Sequence, residues 1–426
     1  MKKIILHLSS RYSSFGTFNA SKRYFKIFEK ENFQNYYLTG RIDTSDFDKK
    51  KSKIRLFNLD NNIFFYKINY FIEKFINYIL QKKKSEMYWS HSLINISILD
   101  KINKLKKADI IFLYWINDNF LTLENIKKIF SLNKPILWRF SDMWPMTGGC
   151  HYSYDCKKYI NNCNNCPQLV KKNYFDLANI VFEQKKKWNL DNLTILVPSS
   201  FMEKKVKESK LFSKVKCVKI LNSVDTEFFN FKKKKIKKKI TVLVGPFSKS
   251  DYERKGLYNL NSVLEKLNKL DKKDFKFILF GGVDSSNIKF TNFDYKNYNF
   301  VKSRSEIKKI YQKSDIYLFL SNQDNSPNTV AESLSCGTPV ITFKNNGTDD
   351  FCINGINSLV IDKFNSSKIV KNLNRVYSDR KLLKKLSLNA RNFALDNLNQ
   401  KLINKKIINL TNQKLNDFKN KKFKKY

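Results

Sequence analysis

The chain has 426 residues and a formal net charge of +43, from 81 Lys and Arg against 38 Asp and Glu. Hydrophobic residues make up 42% and aromatic residues 15% of the chain, which is enough apolar material for folded cores and excludes global disorder. The length favours two domains over one. The charge attracts anions, so nucleic acid, an anionic membrane and phosphorylated substrates are open as partners, beside a merely solvated basic surface.

The N-terminal stretch MKKIILHLSS has basic residues, but its apolar run is short and contains His7, so no secretory signal is predicted. No segment offers 18 apolar residues without charge, and no transmembrane helix is predicted. These observations predict a cytoplasmic, reducing location, in which disulfides are rare.

Several short apolar runs end in polar or glycine-rich turns and predict strands. They lack clean alternation, as strands of parallel sheets do when both faces are buried. Helix-like stretches at 255–270 and 305–314 lie between them, and strand alternating with helix predicts doubly wound α/β domains. The predicted strands cover 3–10, 108–116, 135–141, 193–200, 240–247, 275–282, 314–321 and 338–343.

The predicted strands fall into two sets, and each set predicts one Rossmann-like domain. The first domain is expected at 1–225, with a cysteine-rich insertion at 148–168, and the second at 240–395. Residues 226–239 contain a lysine run and predict a basic linker. Residues 396–426 predict a last helix and basic tail that could pack back on the first domain. A ligand is expected at the carboxyl ends of the strands, in a cleft between two facing domains.

The segment Ile63 to Lys84 is dense in aromatic residues and interrupted by Lys67, Glu73 and Lys74, which predicts an amphipathic helix. Two interpretations are open. The helix either belongs to a core, or lies at a membrane interface, where its aromatic side chains insert and its lysines meet lipid phosphates.

The stretch SNQDNSPNTVAESLSCGTPV, which starts at Ser321, combines two carboxylates with a predicted helix start. Asp324 lies in a polar loop, and Glu332 lies on a helix predicted to begin near Ser326 and Pro327, with Ser as N-cap and Pro at the first helical position. Gly337 is placed to end that helix. Because helix N-termini bind anions, the set suits a sugar attached to a diphosphate. A second loop with a glycine at 347 is expected to reach the same place.

The pattern of Asp324, seven residues, Glu332 and then SLSCGTPV resembles glycosyltransferase family 4, the retaining nucleotide-sugar enzymes with the two-domain B-type fold. The resemblance implies that Glu332 holds the ribose hydroxyls of the donor nucleotide. It implies that Asp324, where the family more often has Glu, bonds hydroxyls of the transferred sugar. It also places Asn328, Thr329 and Val330 near the diphosphate.

Arg254 and Lys255 precede a glycine after the strand expected to end at Gly245, as the basic pair of that family does. The resemblance implies that both side chains neutralise the leaving nucleoside diphosphate, with Gly245 at the donor site. SVDTEFF resembles the family's domain-junction turn, with Ser223 in place of Gly. Gly16 corresponds to one member of a glycine pair close to the donor phosphates and the acceptor.

The pattern W-x-x-x-D-M-W-P-x-T-G-G-C-H-Y, from Trp138, is similar to a subgroup of that family acting in bacterial surface polysaccharide synthesis, of the colanic-acid type. Ser141 stands where many relatives carry His. Asp142 is a candidate acceptor-side residue or, alternatively, a carboxylate that caps the Gly-Gly loop. The implied reaction transfers a sugar from a nucleotide-diphosphate donor to a hydroxyl of a lipid-linked glycan, in surface polysaccharide or lipopolysaccharide synthesis. We expect the reaction to retain the anomeric configuration and to use no catalytic metal. We also expect the protein to attach to the anionic inner membrane face.

Four of the seven cysteines lie close together in the sequence, at Cys150, Cys156, Cys163 and Cys166. Only the last two form a Cys-x-x-Cys pair. This spacing predicts either a structural zinc site, with His151 as a substitute ligand, or free thiols in a packed loop. In both cases the segment is expected to hold the acceptor-side wall.

Two other functions are open at this stage. A basic, aromatic-rich chain with a zinc module suits nucleic-acid binding. The lysines, however, are spread along the whole chain and no recognised binding module appears, so no nucleic-acid partner is expected. A transferase kept as an inactive scaffold is the other alternative, because Ser141, Ser223 and Asp324 depart from the family pattern.

Overall fold

The chain divides into two compact units, which are described separately. The first comprises Met1–Pro198, Met202–Ile220 and Asn404–Tyr426, and the second comprises Ser199–Phe201 and Leu221–Ile403. A computed structural model describes residues 2–13, 16, 18–42, 63–80, 88–94, 103–118, 120–170, 176–233, 238–248, 251–270, 274–282, 284–344 and 347–423.

The first unit is built on a six-stranded parallel sheet in the order β2-β1-β3-β4-β5-β6. Every residue of the central strands β3, β4 and β5 is buried, as expected for strands covered on both faces. The strands are β1 (Lys3–Tyr12), β2 (Phe33–Ile42), β3 (Ile110–Leu113), β4 (Ile136–Arg139), β5 (Leu193–Val197) and β6 (Lys216–Lys219). The helices are α1 (Phe18–Glu29), α2 (Ile63–Leu80), α3 (Asn103–Lys107), α4 (Leu123–Ser131), α5 (Leu177–Lys186) and α6 (Ser200–Glu208).

The second unit also contains a six-stranded parallel sheet, in the order β12-β11-β10-β7-β8-β9. Its strands are β7 (Ile240–Ser248), β8 (Phe275–Gly282), β9 (Tyr295–Asn297), β10 (Ile316–Leu318), β11 (Val340–Phe343) and β12 (Ser358–Ile361). The helices are α7 (Tyr252–Lys255), α8 (Leu257–Lys269), α9 (Arg304–Lys313), α10 (Asn328–Ser335), α11 (Ser366–Ser378) and α12 (Arg380–Phe393). A π-helical turn at Ala394–Leu398 leads to α13 (Gln400–Phe423), most of which belongs to the first unit.

Apolar residues on both faces of the second sheet explain its helices on either side. Val242 and Val244 of β7 pack in one cluster with Leu260 of α8, whereas Leu243 between them packs in another with Leu334 of α10. Successive strand residues point to opposite faces, so a continuous apolar run creates two cores.

The strand order of the second sheet reverses between β7 and β10. The chain runs outward from β7 to β8 and β9, then returns to the other side of β7 with β10 and continues to β11 and β12. In open α/β sheets, ligands bind outside the carboxyl ends of the strands at such a reversal. The site is therefore expected at the ends of β7 and β10.

The predicted helix at Ile63 to Lys84 is confirmed as α2 for residues 63–80, and residues 81–84 lie outside the described part of the chain. Glu73 is buried, whereas Phe71, Phe75 and Tyr78 are 69%, 64% and 79% exposed. The core interpretation is therefore wrong for that aromatic face. None of the helices described is long and apolar enough to cross a bilayer.

The expected linker at 226–239 includes residues 234–237, which lie outside the described part of the chain. Residues 226–233 belong to the second unit, where the Phe229 side chain is buried in a core cluster with Tyr311 and Leu334.

Candidate functional site

The basic pair Arg254 and Lys255 forms the end of the one-turn helix α7, the first described helix after β7. Gly256 ends that helix with φ +77°, and a Cβ there would lie 1.9 Å from the carbonyl oxygen of Leu320, just beyond β10. Only glycine permits this approach. The Ser321 hydroxyl donates to the Arg254 carbonyl over 2.8 Å. These contacts hold the basic pair at the reversal between β7 and β10.

Asp324, in the loop after β10, lies directly against the basic pair. The Lys255 Nζ atom is 2.9 Å and an Arg254 terminal nitrogen 3.6 Å from Asp324 Oδ2. Arg254 is further held by Asp251, whose Oδ1 accepts from its Nε over 2.9 Å, and by the Gln323 carbonyl, which accepts over 3.0 Å. Two sequence motifs about 70 positions apart therefore meet at one point.

The pKa of Asp324 lies below its ordinary value despite its burial. Burial alone would raise this pKa, but the charges of Lys255 and Arg254, the hydrogen bond from Lys255 and the Ser326 amide together outweigh it. Asp324 is therefore an anion at neutral pH and keeps Lys255 in place.

Helix α10 begins at Asn328 with Pro327 at the N-cap, so the expected N-cap at Ser326 is wrong by one residue. The Ser326 hydroxyl instead accepts from Asn222 Nδ2 over 3.1 Å, and its amide donates to Asp324 Oδ1 over 3.3 Å. The predicted end is confirmed, because Gly337 follows the helix with φ +69° and its amide donates to the Leu334 carbonyl over 2.9 Å.

The three residues expected near a diphosphate are placed differently from one another. Asn328 and Thr329 carry first-turn amides, which a helix leaves without an internal carbonyl partner. The Val330 side chain is fully buried in the core, and its amide donates to the Pro327 carbonyl over 3.2 Å. Val330 thus anchors the helix. The amides of Asn328 and Thr329 are the better hydrogen-bond donors to an anion.

Glu332 lies one turn further along α10 and is half-buried. Its Oε2 accepts a hydrogen bond from the Tyr311 hydroxyl over 3.1 Å. Burial, and then the charge of Glu332, raise the pKa of Tyr311 well above its ordinary value, so the phenol keeps its proton and donates. The carboxylate is therefore fixed in one orientation by a buried side chain.

β7 does not end at Gly245 but continues to Ser248, one residue beyond the predicted strand 240–247, after a register shift between Val244 and Phe247. The Tyr317 hydroxyl donates to the Gly245 carbonyl over 2.5 Å and is hydrogen-bonded with Thr329 Oγ1 over 3.1 Å. Tyr317 therefore ties the end of β7 to the first turn of α10.

The loop containing Gly347 approaches Asp324, as expected. Gly347 has φ +73°, and a Cβ there would lie 2.1 Å from the Asp324 carbonyl oxygen. Sequence reasoning missed Asp251, Gln323, Tyr311 and Tyr317. Only Asp251 carried a signal, because it lies three positions before Arg254, within reach on one helical turn.

The remaining predicted residues, Gly16, Ser141 and Asp142, belong to the first unit. Gly16 is exposed with φ +56° in the turn after β1, and Ser141 is half-buried and lies two residues after the end of β4. Asp142 is buried, and its Oδ1 accepts from the Trp144 amide over 2.9 Å. Asp142 thus caps the turn at Trp144, whereas the Gly149 amide of the Gly-Gly loop donates to Thr147 Oγ1 over 3.2 Å.

Asp142 is also the centre of a buried polar network. Its Oδ2 accepts from Trp115 Nε1 over 2.7 Å and lies 2.7 Å from His151 Nδ1. The other ring nitrogen of His151 is 3.1 Å from Ser90 Oγ. Both nitrogens of His151 are thereby engaged, which argues against His151 as a substitute metal ligand.

Cys150, Cys156, Cys163 and Cys166 are free thiols that line one small cavity. Burial raises the pKa of Cys150 well above its ordinary value and that of Cys163 to about 12. As placed, no three His, Cys, Asp or Glu side chains within the described residues form a ready ligand set for a metal ion.

Residues 225–393 match the profile of the family described as "Glycosyl transferases group 1". The match lies within the second unit and includes Gly245, Arg254, Lys255, Asp324 and Glu332. No curated protein sequence matches the chain.

Several solved structures are similar to the chain over nearly its whole length. Sucrose-phosphate synthase from Thermosynechococcus elongatus has a TM-score of 0.62 at 14% identity and covers 97% of this chain and 99% of its own. Anabaena HepE, solved with UDP and glucose, has a TM-score of 0.61 at 12% identity, covering 96% and 100%. WaaG, a glycosyltransferase involved in lipopolysaccharide biosynthesis, has a TM-score of 0.61 at 12% identity, covering 95% and 99%. This likeness confirms the predicted fold class, two Rossmann-like units of the B-type glycosyltransferase fold.

Proposed function

We propose that the chain is a retaining glycosyltransferase of family 4 that uses a nucleotide-diphosphate sugar as donor. The observation that carries this function is the meeting of Arg254, Lys255 and Asp324 at the reversal of the second sheet, in the unit that bears the N-terminus of α10. Ligands of open α/β sheets bind at such a reversal, and the match to the group 1 glycosyl transferases supports the assignment.

Each residue of the site has a role in this proposal. The diphosphate is bound by Arg254, Lys255 and the amides of Asn328 and Thr329. Glu332 accepts hydrogen bonds from the ribose hydroxyls. Asp324 holds Lys255 and bonds hydroxyls of the transferred sugar. Gly245 lies at the donor, and Val330 keeps α10 in place. Ser141 and Asp142 are assigned to the acceptor side, and Gly16 is assigned to donor binding.

The reaction exchanges one C–O bond for another. The anomeric C–O bond to the diphosphate breaks with its electron pair on the leaving oxygen, and the acceptor hydroxyl oxygen bonds to the anomeric carbon from the same face. The hydroxyl proton passes to the leaving phosphate. Arg254, Lys255 and the end of α10 stabilise the developing negative charge, so the proposal uses no catalytic metal.

The donor class is further supported by HepE, which has been solved with UDP and with UDP-glucose. UDP and UDP-glucose are therefore the first ligands to test. We place the acceptor in surface polysaccharide or lipopolysaccharide synthesis, as a lipid-linked glycan at the cytoplasmic membrane face. The involvement of WaaG in lipopolysaccharide biosynthesis and the exposed aromatic face of α2 support that placement.

Calorimetric titration of the full chain with a panel of nucleoside diphosphates tests the proposed donor site. We expect saturable binding of at least one member, with one site per chain. Glu332→Gln should weaken nucleoside diphosphate binding but leave inorganic pyrophosphate binding unchanged, because Glu332 is assigned to the ribose. A chain that binds no member of the panel, or binds equally after Glu332→Gln, would contradict the assignment.

A further inference from the structure

We propose that Cys150, Cys156, Cys163 and Cys166 bind one structural Zn²⁺ ion in the first unit. The observation that carries the inference is their convergence: four cysteines from different parts of the segment 150–166 line a single cavity. Cysteine sulfur is a preferred zinc ligand, and four-cysteine tetrahedral sites are a common structural form. The inference does not depend on the proposed transferase activity.

The segment around these cysteines contains little regular secondary structure that would hold it. Between β4 and α5 the described residues form two 3₁₀ turns, Trp144–Met146 and Lys158–Ile160. Tyr154, Cys163 and Asn165 have positive φ values of 48°, 53° and 48°. Such backbone conformations are rare for residues other than glycine and persist only where the surroundings fix them. A metal cross-link supplies that constraint.

A buried lysine side chain lies next to the cluster. Lys185 is 1% exposed, and its Nζ donates to the Thr147 carbonyl over 2.9 Å and lies 3.7 Å from the centre of the Trp144 ring. It lies within electrostatic range of Cys150 and Cys163. Zinc with four thiolates carries a net charge of about −2, and a buried ammonium group offsets part of that charge.

Binding releases four protons, because each thiol must ionise to bond the metal, and no electron is transferred. The sulfurs move inward from their present positions to reach Zn–S distances of about 2.3 Å. His151 takes no part, since Asp142 and Ser90 occupy its ring nitrogens.

Metal analysis of the full chain, purified in reducing buffer from zinc-supplemented cells, tests the inference. We expect about one zinc ion per chain in the wild type. Cys166→Ser should lower the zinc content, whereas Cys217→Ser, which changes a cysteine on β6 outside the cluster, should not. Exchange of zinc for Co²⁺ should give thiolate-to-cobalt charge-transfer bands in the wild type.

If Cys166→Ser does not fold, the melting temperature of the wild type with and without metal still tests the inference. Removing the metal with a strong chelator should lower the melting temperature, and adding Zn²⁺ should restore it. A folded wild type that contains no zinc and no other metal, or that holds a disulfide among these cysteines by mass spectrometry, would overturn the inference. An unchanged melting temperature after zinc removal would overturn the structural role.

Discussion

The ion pair between Lys255 and Asp324 is partly buried, and it contributes more by holding Lys255 in position than by stabilising the fold. Side-chain exposure is 19% for Lys255 and 14% for Asp324, and desolvation offsets much of the attraction between such charges. The pair fixes Lys255 at the carboxyl end of β7, where the proposed diphosphate binds. A preorganised charge of this kind needs little rearrangement during the reaction.

At the residue scale, sequence reasoning reached only residues that belong to linear motifs. Asp324, Glu332, Arg254 and Lys255 became candidates because their spacing resembles a family motif that also contains a glycine and a helix start. Tyr311 could not, because its contact with Glu332 arises from the packing of α9 against α10. Val330 was expected near the diphosphate because of its position in the family motif. Its side chain is fully buried, so it anchors α10 to the core instead.

Glu73→Gln should make the chain more stable than the wild type as the pH rises. Burial, and then the charge of Asp118, raise the pKa of Glu73 from 4.5 to about 7. The folded state therefore holds a proton that the unfolded state has lost, so the stability from Glu73 is present below pH 4.5 and lost as the pH rises through about 7. The full shift in pKa corresponds to about 3 kcal/mol of unfolding free energy.

The melting temperatures of wild type and Glu73→Gln, measured from pH 5 to pH 8, check this prediction. The advantage of the variant should grow with pH. Glu31→Gln, at an exposed position in the turn after α1, is the matched control and should show a constant difference. A constant difference for Glu73→Gln as well would show that Glu73 titrates normally.

At the element scale, the strands that sequence analysis missed share one property. They are β2, β6, β9 and β12, the four edge strands of the two sheets. An edge strand is paired on one side only and less completely buried, so it lacks the continuous apolar run by which the central strands were recognised. β6 illustrates this, because none of its four residues is fully buried.

Gly256→Ala should destabilise the second unit more than a change at another glycine with the same backbone conformation. The left-handed conformation costs an alanine about 1–2 kcal/mol. At Gly256 the added Cβ would also lie 1.9 Å from the Leu320 carbonyl oxygen, so the end of β10 would have to move. Because Asp324 follows in that loop, affinity for nucleoside diphosphates should fall as well.

Gly355→Ala is the control for Gly256→Ala, since Gly355 has φ +74° and a Cβ there would meet no atom within 4 Å. Urea unfolding of both variants separates the cost of conformation from the cost of the close approach. Equal losses of unfolding free energy in the two variants would contradict the importance of the contact with Leu320.

At the scale of the whole molecule, the charge of +43 and the aromatic face of α2 together favour an anionic membrane surface. We expect the chain to cosediment with phosphatidylglycerol vesicles, and salt to reverse the binding, because each lysine near anionic lipid contributes about 1 kcal/mol. Replacing both Phe75 and Tyr78 by Ser should weaken binding. Tyr258→Ser, at an exposed aromatic residue of α8, should not.

Phosphatidylcholine vesicles provide the contrast for the membrane prediction. Equal binding to neutral and anionic vesicles would contradict the prediction that the positive charge of the chain attracts it to the membrane. If Tyr258→Ser lost as much vesicle binding as the α2 variant, the aromatic face of α2 would have no specific role in membrane binding.

The fold of the whole molecule could be predicted because two sets of doubly buried strands, each alternating with helices, have few alternative arrangements. Substrate identity could not be predicted in the same way. Donor sugars differ by one or two hydrogen bonds in the pocket, and these have no sequence motif.

The central claim is that the charges at the reversal of the second sheet act on a nucleotide-sugar donor. Donor turnover by wild type, Lys255→Met and Glu332→Ala, with a panel of nucleotide sugars, tests it most directly. Losing one such stabilising group should lower turnover by about 10²- to 10³-fold with the melting temperature maintained. Lys384→Met, at an exposed position of α12, should leave turnover unchanged. Near wild-type turnover in folded Lys255→Met would contradict the account.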